Sequence, residues 1–109
     1  MEIQQASVSI GGTTIIFGKA PMGHYGHGVS DYIERQATFP ITGIEFKTAV
    51  VTATLTSEGV GSPFVVYQTC VTDAGQVKIS AVNAKGDKTD TTDFECNYII
   101  IGKKTIEHD

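Results

Sequence analysis

The stretch KTAVVTATL (Lys47–Leu55) decides the fold class. Ala49, Val51, Ala53 and Leu55 alternate with Thr48, Val50, Thr52 and Thr54. That period of two belongs to a β-strand, because successive side chains leave a strand on opposite faces. The Ala/Val/Leu set is expected to face a core. The Thr-rich set suits a face that meets water or another polar sheet, since the branched side chain fits the pleat while its hydroxyl stays hydrogen-bonded.

Working outward, β-branched and aromatic residues recur in short blocks cut by Gly, Pro, Asn and Asp, and no window carries the i, i+3, i+4, i+7 apolar spacing of an amphipathic helix. The expected strands are Ser7–Ile10, Thr13–Gly18, Tyr32–Phe39, Phe46–Thr56, Phe64–Thr72, Gln76–Val82 and Phe94–Ile101. Gly11 and Gly12 between the first two offer the positive φ of a two-residue hairpin, and TDAG (Thr72–Gly75) carries a similar signal. The reading is all-β: a single antiparallel β-sandwich of six or seven strands over residues 1–109. At 109 residues the chain holds one domain's worth of core.

NYIIIG (Asn97–Gly102) departs from clean alternation. Ile99 and Ile101 point opposite to Tyr98 and Ile100, so both faces of this strand are apolar. In a domain of this size that implies a central position or a subunit interface.

Composition narrows the function. A 40% hydrophobic and 18% charged chain reads as an ordinary globular domain, and no apolar run is long enough to span a bilayer. Net charge is −4 and the Lys and Arg residues are scattered, which argues against nucleic acid as a partner. MEIQQASVSIGG lacks the basic start and continuous apolar stretch of a signal peptide. Cys70 and Cys96 are therefore expected as free thiols.

The candidate chemistry concentrates in one segment. PMGHYGHGVSDY (residues 21–32) lies in a loop expected over Lys19–Asp31. His24 and His27 are two ligands, fewer than a tetrahedral metal site requires, so a metal there would need His108, Asp31 or symmetry copies to complete it. Tyr25 and Tyr32 offer rigid amphipathic surface for a sugar or protein partner, and a third reading is a solvated glycine-loosened connection. Arg35, just beyond, is read as an anion or hydroxyl contact, and Ser57–Ser62 as a second contact loop. AKGDKTDTTD (Ala84–Asp93) reads as a solvated hairpin tip, because its aspartates lack the glycine and terminal glutamate of a helical calcium loop. No GxSxG, no phosphate-cradling loop and no paired carboxylates are visible, so the chain is read as non-enzymatic.

Three patches carry a resemblance: GGTTIIFGKA (Gly11–Ala20), ATFPITGIEFKTAVVTATL (Ala37–Leu55) and NYIIIGK (Asn97–Lys103). In this order they resemble the C-terminal tip domains of phage and prophage tail fibres, which are similar in fold to H-type lectins. Phe17 and Tyr98 stand where many members carry Trp, and the chain has no Trp at all. The resemblance implies an H-type lectin-like sandwich that assembles as a homotrimer and binds a host-surface receptor, often a glycan. No cofactor is implied, apart from a metal that a trimer axis would gather between His24 and His27. It implies a place in the virion, or in the bacterial cytoplasm as a prophage product. The alternative is a structural or assembly module with no glycan ligand.

Overall fold

A computed structural model describes residues 4–24, 34–55, 64–83 and 95–106. These form an antiparallel β-sandwich of two sheets. Strand β1 is Gln4–Ile10, β2 Thr13–Pro21, β3 Gly23–His24, β4 Glu34–Pro40, β5 Val50–Leu55, β6 Phe64–Val71, β7 Gln76–Asn83 and β8 Glu95–Lys103. One sheet has the order β1-β2-β8-β5 and the other β3-β4-β7-β6.

The expected strands form, with instructive shifts at their ends. The stretch read as a strand from Phe46 starts instead with a 3-10 turn at Phe46–Thr48, and β5 begins at Val50. The Thr48 hydroxyl explains this: it donates to the Glu45 carbonyl at 2.7 Å and accepts the Lys103 amide at 2.9 Å, which ties the turn to the end of β8. The loop expected from Lys19 is also shorter than read. Lys19–Pro21 continue β2, and Gly23–His24 pair with Gln36 and Arg35. Met22, 2% exposed, is buried where the chain passes from one sheet to the other. The loops read at Ser57–Ser62 and Ala84–Asp93 lie outside the described residues.

Both hairpin signals are realised. Gly11 has φ 60°, whereas Gly12 stays out of the positive region, so only the first glycine of the pair needs its freedom. At Thr72–Gly75 the Gly75 amide donates to the Thr72 carbonyl at 2.9 Å, and Gly75 takes φ 80° to feed β7.

The core lies between the sheets. Ile16, Cys96, Tyr98 and Ile100 from the first sheet meet Ala37, Phe39, Val77, Ile79 and Ala81 from the second. Val51, Ala53 and Leu55 pack against them half-buried, so the apolar set of β5 does face inward. Phe39 and Tyr98 stack across the interior with ring centroids 4.6 Å apart. Each such fully buried side chain contributes about 1.5–3 kcal/mol relative to exposure.

Cys70 and Cys96 are both free, the first half-buried and the second buried. Burial pushes the Cys96 thiol from 9.0 up to about 11, against backbone hydrogen bonding from Ala20 that pulls the other way. The folded thiol thus keeps its proton where the unfolded one loses it. Stability is complete below pH 9 and drains as pH rises from 9 towards 11. Tyr98, pushed up to about 12 by the same burial, extends the loss above pH 10. Urea midpoints measured from pH 8 to 11 should fall in the wild type, and fall less steeply in Cys96→Ala.

Candidate functional site

The described residues hold one feature that a stable isolated domain does not require: the outer face of the β1-β2-β8-β5 sheet. Strand register builds it row by row. Ala6 pairs Phe17, Phe17 pairs Ile99, and Ile99 pairs Thr52. One row along, Val8, Ile15, Ile101 and Val50 stand side by side. Since alternate residues share a face, these side chains all leave the sheet away from the core. Val8, Phe17, Ile99 and Ile101 are 44–47% exposed and Val50 is 65% exposed.

The two rows carry no charge. Charge and amide groups begin at their margins, with Gln4, Lys19, Asn97 and Thr54 in the row on one side, and Lys103 beside Thr13 on the other, where Ile10 of β1 continues the apolar surface at 70% exposure. Three shallow depressions of about 360, 340 and 80 Å³ surround the Phe17 and Ile99 side chains. The face is therefore an apolar relief of knobs and hollows, of the kind that fits another apolar surface.

The face exists because three strands carry neighbouring apolar residues, one for each side. Ile15-Ile16-Phe17, Val50-Val51 and Ile99-Ile100-Ile101 each place one residue in the core and its neighbour outside. The two-faced character of Asn97–Gly102 is legible in the sequence. Its β2 and β5 counterparts were readable from the same doublets, but their alignment into rows was not.

A central position does not cover the second face of β8. Strand neighbours satisfy its backbone edges, while Ile99 and Ile101 remain exposed. The strand is apolar on both sides, and within the chain it is covered on only one.

One inward row secures β1 to this sheet. Gln5, Gly18, Tyr98 and Ala53 lie opposite one another across four strands. Gly18 carries no side chain, and the Tyr98 hydroxyl reaches past it to donate to Gln5 Oε1 at 2.9 Å. The Ser9 and Thr14 hydroxyls bond at 2.9 Å further along. Even so, all seven residues of β1 are exposed, including the inward-facing Gln5, Ser7 and Ser9.

Among the described residues, Arg35 and His24 lie in the other sheet, away from this face. Arg35, expected as an anion or hydroxyl contact, is fully buried at 0% exposed, and its Nη1 donates to the Met22 carbonyl at 3.4 Å. The alternation that turns Ala37 and Phe39 inward turns Arg35 inward too, so its side chain does not face solvent. His24 lies in β3, its backbone opposite Arg35. Tyr25, His27 and Tyr32 lie outside the described residues, and with them the proposed metal pair.

The chain matches no family model, no curated protein and no solved structure.

Proposed function

We propose that this chain is a non-enzymatic, self-associating β-sandwich that acts as the receptor- or glycan-binding tip of a phage-related tail fibre, working as a homotrimer. The observation that carries the self-association is the uncharged outer face centred on Phe17, Ile99, Ile15 and Ile101. Leaving such a contiguous apolar surface in water is costly, and burying it between copies removes about 25 cal/mol of that cost per Å². The tail-fibre assignment rests on the order of the three patches Gly11–Ala20, Ala37–Leu55 and Asn97–Lys103. Receptor contact is assigned, from the sequence alone, to His24 and to Tyr25, His27 and Tyr32 of the segment that follows it.

Size exclusion with light scattering tests the assembly. The expected mass is three times the 11.6 kDa chain, and a clean monomer at micromolar concentration would overturn the reading. Binding to a glycan array and to candidate host cells tests the recognition. Tyr25→Ala and His27→Ala should lose that binding and keep the trimer.

The second reading is an assembly module that caps or joins other surface proteins. The lack of any Trp for sugar stacking favours it. A stable trimer that retains no glycan and no cell, but depends on a partner protein, would select it.

A further inference from the structure

A sheet ends in two strands whose outer backbone groups have no neighbour, and natural sheets blunt such edges with bulges, very short strands or cover from another layer. Among the described residues, three of the four edge strands carry a device of this kind. β5 is closed against the opposite sheet, where the Thr69 hydroxyl of β6 donates to the Val51 carbonyl at 3.1 Å. β6 is interrupted by a bulge between Val66 and Gln68. β3 is two residues long.

β1 carries none. Its seven residues, QQASVSI, hold no charge and no proline, and they pair with β2 without a break in register. Among the described residues its single neighbour in the sheet is β2, so one of its two backbone edges is open. All seven residues are exposed.

The strand is nonetheless fixed in place. The Tyr98 hydroxyl donates to Gln5 Oε1 at 2.9 Å, the Ser9 and Thr14 hydroxyls bond at 2.9 Å, and the bare Gly18 lets β1 lie close on β2. A strand held along one edge and open along the other is a preformed template. An incoming strand gains a ladder of backbone hydrogen bonds there without β1 having to be ordered first.

We propose that the open edge of β1 captures an extended, uncharged segment of a partner polypeptide, which adds to the sheet as a fifth strand beside Gln4–Ile10. The two faces of β1 state what that segment must carry. Ala6, Val8 and Ile10 stand on the apolar outer face, Val8 46% and Ile10 70% exposed, while Gln5, Ser7 and Ser9 stand on the other. Cross-strand neighbours share a face, so the segment has Val- or Ile-type residues at every second position and Ser, Thr, Asn or Gln between them. β1 offers no charge for a charged residue to pair with.

A second β1 edge meets these demands only in part. Paired about a twofold axis normal to the sheet and centred on Ser7, all seven residues overlap, but Ile10 falls beside Gln4 at both ends. Centred on Val8, apolar residues meet apolar residues, but the overlap shrinks to residues 6–10. A separate segment has no such symmetry to obey. The proposal concerns the edge of the sheet and does not rest on the self-association of its outer face.

Amide hydrogen exchange on the full chain reads the edge directly. Alternate amides of an edge strand point to its neighbour, so in the free chain every second β1 amide should be protected and those between should exchange fast. The probe is a seven-residue peptide alternating valine with threonine, with a lysine at each end for solubility. Its control is the same peptide methylated at every backbone nitrogen, which keeps the side chains and removes the donors. The first peptide should slow the fast β1 amides by roughly tenfold or more at saturation, and the methylated one should leave them unchanged. Ser7→Lys, a charge at an exposed edge position, should weaken binding roughly tenfold.

Fast amides that the peptide leaves unchanged would overturn the proposal, and so would equal protection by the methylated peptide. Protection of all β1 amides in the free chain would overturn it too, because the edge is then already paired.

Discussion

Ile99→Glu is expected to turn the proposed trimer into a folded monomer, whereas Ile100→Glu, one residue along, is expected to unfold the chain. The two side chains leave β8 on opposite faces: Ile99 is 47% exposed at the centre of the outer face and Ile100 is 0% exposed in the core. In the isolated chain a glutamate at 99 remains in water and disturbs nothing. At a three-copy interface it places carboxylates together on an apolar axis, where burying unpaired charge costs several kcal/mol per group. Dissociation should strengthen by at least about 100-fold, which corresponds to about 2.7 kcal/mol. Light scattering reads the mass, and circular dichroism checks that the sheet signal persists. An Ile99→Glu protein that remains a trimer would remove the outer face as the interface.

Gly18→Ala is expected to destabilise by about 3 kcal/mol, at the upper end of overpacking costs, although it adds a single methyl group. An added Cβ falls onto the Gln4 carbonyl, with the Gln4 carbonyl carbon and Gln5 Cα close behind it. These are backbone atoms, so no rotamer change makes room, and β1 has to lift from β2. The same movement breaks the Tyr98 bond to Gln5. Gly12→Ala is the control: nothing lies within 4 Å of its added Cβ, and its φ is not positive. It should stay within about 0.5 kcal/mol of wild type or gain slightly from a less flexible unfolded chain. Urea midpoints of the two variants decide the comparison, and equal midpoints would show that β1 is not held tightly at Gly18.

The consequence of the Gln5-Gly18-Tyr98 row is that one glycine connects the core to the surface. Tyr98 stacks on Phe39 inside the sandwich and ends on a residue of an otherwise exposed strand. The inward face of β1 gains few other contacts, so the anchoring of its apolar outer residues depends heavily on that row.

The residue order alone was enough for much of the fold. Alternation in Lys47–Leu55 marked a strand with an inward face, because a period of two has no other regular backbone solution. The hairpins at Gly11-Gly12 and Thr72–Gly75 were legible because turn geometry is a local property of a few φ angles. The doublet in Ile99-Ile100-Ile101 announced a strand apolar on both sides.

Other features depended on contacts between residues distant in the chain. The 3-10 turn at Phe46–Thr48 forms because the Thr48 hydroxyl bonds the Lys103 amide, 55 residues away. Arg35 read as a polar contact because its type favours water, yet the parity of β4 carries it inward. The local pattern says only that a residue alternates, and which face is the core depends on how the sheets stack.

Sequence by itself determined that this protein is built of antiparallel strands and that Asn97–Gly102 has apolar residues on both sides, since both follow from the order of side chains along one strand. Only the tertiary structure decided that β1, β2, β8 and β5 lie side by side in that order, and that their outward apolar residues align into rows on one shared face. The reason is physical. A strand's own sequence specifies its two faces, but its neighbours and its register are set by hydrogen bonds to segments far along the chain.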